Sequence, residues 1–223
     1  MPYFFKQANK NRALAGIGLS VLLIVCLNLN SYFPGLLFKQ PLPDSTRFLF
    51  SSGVIWVFFI AIYLCATKIE KRHFLLWEEN RYTADFYIVW VVALLSINYI
   101  IIGLITTPLN NLHWNNSDHK VLQLYHLSPL LKLLGVITAA ITEELICRAY
   151  LLSRLQLYFK DPRYPLVISA LIFAFGHLGY GTMGYIIYTL AFGLLFGWHY
   201  QKYRNIKILI ICHFLLDYYL LLF

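Results

Sequence analysis

The chain alternates long apolar runs with short polar, basic breaks, and the longer runs match the length a helix needs to cross a bilayer. Runs at about 13–29 and 48–67 are followed by one at about 86–106, set after Asp85 because that charge belongs at an interface. A fourth helix starts at Ser128 and Pro129, where a hydroxyl can cap free N–H groups and proline suits the first helical position. It extends to about residue 159. Shorter runs follow at 165–178, 185–200 and 206–223. The pattern predicts an all-α polytopic membrane bundle of about seven transmembrane helices, the fourth longer than a bilayer requires and the fifth short for one. The breaks at 30–47, 68–82 and 108–126 read as loops of ordinary length, so residues 1–223 form a single transmembrane domain.

Composition agrees with the pattern: 60% of the residues are apolar and 13% charged, more apolar than a soluble core requires. The net charge of +8 raises nucleic acid as a partner, but the basic residues sit in short clusters between apolar runs, as topology signals do. Nucleic-acid binding is set aside, and the partners expected are the bilayer and a membrane-tethered protein or peptide. With a cytoplasmic N-terminus, Lys6, Lys10, Arg12, Lys68, Lys71, Arg72, Arg81, Arg154, Lys160, Arg163, Lys202, Arg204 and Lys207 fall on that side. Lys39, Arg47, Lys120 and Lys132 fall on the other, so the bias predicts N-in; the location expected is a bacterial inner (cell) membrane. The first apolar run is not followed by a small-residue cleavage site and reads as a retained span. Residues 68–82, KIEKRHFLLWEENRY, suit a headgroup interface. Cys26, Cys65, Cys147 and Cys212 lie in apolar segments without C-x-x-C spacing, which suggests neither disulfides nor a thiolate metal site.

The candidate chemistry is the set of ionisable residues inside the apolar runs, where each costs a few kcal/mol unless paired, protonated or used. Glu143 and Glu144 are adjacent and point about 100° apart on a helix, so they cannot share one role. Glu144 and Arg148 stand at i, i+4 and can pair, which leaves Glu143 free to face a cavity. His177 follows in the run FAFGH, with Gly179 and Gly181 marking the end of its helix. His213 and Asp217 share one face of the last helix. A structural ion network around Arg148 and a helix-face pair that packs the bundle are the bland alternatives. His73, His113, His119 and His126 lie in loops or at interfaces, and His199 at a cytoplasmic helix end. Three helices thus each bring one or two acidic or histidine side chains to the bundle, a cluster able to activate water, bind a metal or relay protons.

The order of these motifs, E-E-x-x-x-R at Glu143, Glu144 and Arg148, F-x-x-x-H at Phe173 and His177, and H-x-x-x-D at His213 and Asp217, resembles the CPBP (ABI) family of intramembrane proteases. That group includes type II CAAX prenyl endopeptidases and bacteriocin-processing or immunity proteins. The resemblance covers about residues 129–223, the expected catalytic helical core, while residues 1–128 carry no matched motif. It implies a helical bundle enclosing a polar intramembrane cavity, and hydrolysis of a peptide bond by glutamate-activated water. Carried onto this chain, it implies Glu143 as general base, His177 holding or polarising the water, Glu144 and Arg148 as the ion pair that fixes the helix, and His213 facing the oxyanion. Family members often carry asparagine at the last motif position. Asp217 cannot donate a hydrogen bond unless protonated, so it either orients His213 or ligates a metal. Glutamate, two histidines and aspartate suffice for zinc, yet no H-E-x-x-H pair is present, and the reading adopted is metal-free.

Several further residues read as packing. Gly193 and Gly197 form G-x-x-x-G, used for close packing within the bundle rather than for a dimer. Phe173 reads as lipid-facing filler, although it could stack near His177, and Trp56, Trp77, Trp90, Trp114 and Trp198 as interface or packing residues. The non-enzymatic alternative is a proton-coupled transporter or an immunity-type membrane protein, with Glu143, His177 and Asp217 relaying protons or binding a ligand. Transporters of this size usually show an internal repeat, and the two halves show none.

Overall fold

The protein is described by a computed structural model over residues 2–29, 43–111, 126–178 and 183–222, and these residues are helical apart from the connectors. Helix α1 spans Pro2–Leu29. Helix α2 spans Asp44–Leu64 and continues into a wider i→i+5 turn at Cys65–Ile69. Helix α3 spans Ala84–Asn111. Helix α4 runs from Pro129 to Glu143, passes into a long i→i+5 segment at Glu144–Leu152 and closes with Ser153–Leu155. Helices α5, α6 and α7 span Arg163–Phe175, Met183–Tyr203 and Ile206–Leu222.

The start of α4 is the one predicted: the Ser128 hydroxyl accepts from the Leu131 N–H at 3.4 Å, and Pro129 opens the helix. Several ends differ from the sequence reading: α1 starts at Pro2 rather than near 13, α2 at Asp44 rather than near 48, and α5 ends at Phe175 rather than 178. Helix α3 runs past Pro108, which was placed in a loop, because a proline this near a helix end removes one amide donor with little helix left to break. Helix α4 ends at Leu155 rather than near residue 159, where its chain turns back through Leu157 and Tyr158 into α5. The readings on His113, Trp114, His119, Gly179 and Gly181 lie outside the described residues.

Asp44–Ile69 and Ala84–Ile105 are long and apolar enough to cross a membrane. Their outer faces carry Val57, Ile60, Ile88, Val89, Val92, Ile100 and Leu104, each more than half exposed. An exposed apolar surface of that kind is stable against lipid and costly against water. The remaining helices pack closely around α4. Helices α5 and α6 meet at small residues: a Cβ on Gly193 would lie 3.1 Å from the Ala170 Cα, and one on Gly197 2.6 Å from Leu166 Cδ1. The G-x-x-x-G pair therefore serves packing within the bundle, as read.

The basic connectors gather at one end. Asn80 N–H donates to the Arg204 carbonyl at 2.8 Å, and its side-chain amide donates to the Tyr203 carbonyl at 3.0 Å. Gln201 Nε2 reaches the Pro162 carbonyl at 2.9 Å. The connectors after α2, α4 and α6 thus lie side by side.

Candidate active site

Helices α4, α5 and α7 bring the motif residues together. Arg148 Nη1 donates to Glu144 Oε1 at 3.1 Å, the i, i+4 pair expected from spacing. Both residues are wholly buried, with exposures of 1% and 0%. The same Glu144 oxygen accepts from His213 Nδ1 at 2.8 Å, so the first glutamate partner of α7 is Glu144, a contact that spacing alone could not supply. His213 Nε2 faces Asp217 Oδ2 at 3.4 Å across one turn of α7. Both imidazole nitrogens therefore face carboxylates, and both can donate only when the ring carries two protons. Glu144, Arg148, His213 and Asp217 then form a chain of alternating sign whose charges cancel.

Glu143 is set apart from that chain. Its Oε2 lies 3.9 Å from His177 Nε2, and the two side chains retain 24% and 14% of their exposure. That separation is too long for a direct hydrogen bond and has the length that one water oxygen spans. His177 Nδ1 lies 2.9 Å from the Phe173 carbonyl. A carbonyl can only accept, so Nδ1 donates to it, and Nε2 is the ring nitrogen turned towards Glu143.

Aromatic rings fill the space between these groups. The Arg148 guanidinium lies 4.1 Å from the centroid of Phe173 and 5.3 Å from that of Phe192. Such stacking compensates part of the cost of burying a cation. Phe173 is 4% exposed and its ring centroid is 4.7 Å from that of His177, so the lipid-facing reading of Phe173 is corrected. Its position between arginine and histidine, one turn before His177, gives it a polar environment that hydrophobicity does not disclose. The ion pair is not saturated: Glu144 Oε2 and Arg148 Nη2 are buried without a hydrogen-bond partner among the described residues. Burying such a pair is costly unless its remaining donors and acceptors are met.

A second buried ionic group lies at the basic end and was missed in the sequence. Arg154, read as a topology signal, is 0% exposed, and Glu70, read as facing headgroups, is 3% exposed. Arg154 Nε and Nη2 reach Glu70 Oε2 at 3.1 Å each, and its Nη1 and Nη2 donate to the Phe74 and His73 carbonyls at 2.6 and 2.8 Å. The residues are 84 positions apart, and no spacing rule joins them. The connector that holds Glu70 also carries Glu79, whose carboxylate accepts from Tyr200 Oη at 2.9 Å and from the Ile206 N–H at 2.7 Å. Burial pushes the Glu79 carboxyl above its usual range, while those hydrogen bonds and Lys207 oppose the shift.

Residues 126–219 match the family model of the Rce1-like type II CAAX prenyl endopeptidases. Over this segment, less than half of the chain, the protein is similar to the family that the three motifs resemble. The matched stretch holds Glu143, Glu144, Arg148, His177, His213 and Asp217. The Rce1-like match supports a protease, a hydrolase acting in a membrane, of the CAAX type. No curated protein and no solved structure matches the chain.

Proposed function

We propose that this protein is an intramembrane endopeptidase that hydrolyses a peptide bond of a membrane-associated protein or peptide, with residues 129–223 as its catalytic core and all seven helices crossing the bilayer. The observation that carries the reading is the pairing of Glu143 with His177 across 3.9 Å, inside the segment that matches the Rce1-like family. With His177 protonated on Nδ1 alone, two acceptors face each other there. A water between them donates one hydrogen to Glu143 Oε2 and the other to His177 Nε2, which leaves an oxygen lone pair directed at a scissile carbonyl.

Glu143 then takes the water proton as the oxygen adds to the carbonyl carbon, and returns it to the departing amine. The carbonyl oxygen gains the charge. His213 Nε2–H serves that oxyanion, with Asp217 orienting the ring at 3.4 Å until the oxyanion forms. Glu144 fixes His213 through Nδ1 and is itself held by Arg148, so both are positioning residues in this scheme.

Zinc fits these residues poorly. Among the described residues no group of three or more His, Cys, Asp or Glu side chains converges as a metal site would. His213, which such a site would need, has both nitrogens turned to carboxylates. No step is routed through a metal. The match to a protease family favours hydrolysis over proton-coupled transport or an immunity role.

The test is incubation of the purified protein with a membrane-tethered peptide library, wild type beside Glu143→Gln. The amide keeps the shape and loses the basicity, so cleavage should fall by about 10²–10⁴-fold while the protein remains folded. Unimpaired cleavage by the variant would sink the mechanism.

A further inference from the structure

The wide segment that begins at Glu144 is held at both ends. One end is the Glu144–Arg148–His213 group. The other is the buried group at which Tyr150 Oη donates to Glu70 Oε1 while Arg154 binds Glu70 Oε2. Glu70 itself follows the wide turn of α2, since its N–H donates to the Cys65 carbonyl at 2.9 Å. Two i→i+5 segments thus face each other through one carboxylate.

Such segments are rare, and where they occur they lie frequently at functional sites. Here contacts to the longer segment are visible. Within α4, Ser153 Oγ donates to the Ala149 and Tyr150 carbonyls at 2.6 and 2.9 Å, and from outside it Ser169 Oγ on α5 donates to the Cys147 carbonyl at 3.4 Å. Helix α1 adds a wall: a Cβ on Gly16 would come within 1.6 Å of the Tyr150 hydroxyl oxygen. The Tyr150 ring also stacks on Phe74 at 5.4 Å and carries the Arg154 guanidinium at 4.4 Å.

We propose that Glu70, Tyr150 and Arg154 form a latch that sets the register of α4 and thereby positions Glu143 and Glu144. The geometric reason is rotation. Relaxing the segment to i→i+4 hydrogen bonds by one residue turns Arg154 about 100° relative to Glu144. With Arg154 locked to Glu70, Glu144 would swing away from His213 and Glu143 from His177. The latch is separated from the reacting atoms, so Tyr150 and Arg154 act through the glutamates. Its effect on turnover rests on the protease reading above.

The experiment is Tyr150→Phe, which keeps the ring stacked and removes only the hydroxyl, with Arg154→Lys as a second variant that keeps the charge and loses the fork. The core-trimming Leu94→Val on α3, matched in melting temperature, controls for lost stability. Two readouts are taken in detergent: kcat and KM on a cleaved membrane-tethered peptide, and the His213 imidazole nitrogen resonances, assigned by their loss in His213→Gln. Displaced catalytic groups should lower kcat by about 10–100-fold with KM unchanged. The His213 resonances should move in Tyr150→Phe and Arg154→Lys, and stay in place in Leu94→Val. Activity falling only in proportion to unfolded protein, with the His213 resonances unmoved, overturns the latch. Should wild type cleave no peptide, the protease reading fails and the resonances alone decide the latch.

Discussion

Glu144 Oε1 accepts from Arg148 and His213 together, and the wholly buried Oε2 meets no partner among the described residues. Its charge is offset by the Arg148 guanidinium, and His213 adds a second donor. Arg148→Ala would leave Glu144 leaning on His213 alone and empty the space beside Phe173, a loss of about 3–5 kcal/mol by analogy with broken buried ion pairs. A lower melting temperature in detergent than wild type is expected. A variant as stable as wild type would mean that Glu144 is hydrated. Asp217 is less committed, with a third of its side chain exposed and a 3.4 Å contact to His213. In Asp217→Asn the amide oxygen can still accept from Nε2, and an amide N–H can serve the oxyanion, so activity should be retained, while His213→Ala should lose nearly all of it. The purified protein is expected to carry no stoichiometric zinc. Elemental analysis finding one zinc per chain, lost in both His177→Ala and His213→Ala, would replace the metal-free scheme and leave the protease reading standing.

At the scale of elements, the helices were legible because each buries or exposes a run of apolar side chains, and because Ser128, Pro129 and the G-x-x-x-G pair act locally. The Glu144–Arg148 pair was legible for the same reason, four residues being one turn. The His213–Glu144 contact was not, since it joins residues 69 positions apart on two helices, and only the excess of buried charge pointed to it. The wide segment Glu144–Leu152 left no sequence mark at all. Apart from Glu144 and Arg148 its composition is that of an ordinary apolar helix, and hydrogen bonds to it come from Glu70 and Ser169 on other elements. Arg154 and Glu70 were misread for a related reason. A charge beside an apolar run looks the same whether it meets headgroups or a partner folded back from another connector.

For the whole molecule, the distribution of charge and the packing of connectors bear on the same question, namely which end of the bundle faces the cytoplasm. The connectors after α2, α4 and α6 and the helix ends beside them carry Lys68, Lys71, Arg72, Arg81, Lys160, Arg163 and Arg204, and hydrogen bonds join the connectors at one end. Asp44, at the start of α2, should lie at the opposite end, because α2 is long enough to cross a bilayer between Asp44 and that cluster. If the basic end is cytoplasmic, as the positive-inside rule requires, a cysteine placed at exposed Asp44 should react with a membrane-impermeant maleimide in intact cells. A cysteine at exposed Lys160 should react only after the membrane is opened. Of the native cysteines, Cys65, Cys147 and Cys212 are buried and Cys26 lies in an apolar helix, so background labelling should be low. The reverse pattern would place the N-terminus outside. Equal labelling of both positions from outside would show that α2 does not cross the membrane, and the seven-span arrangement would fall with it.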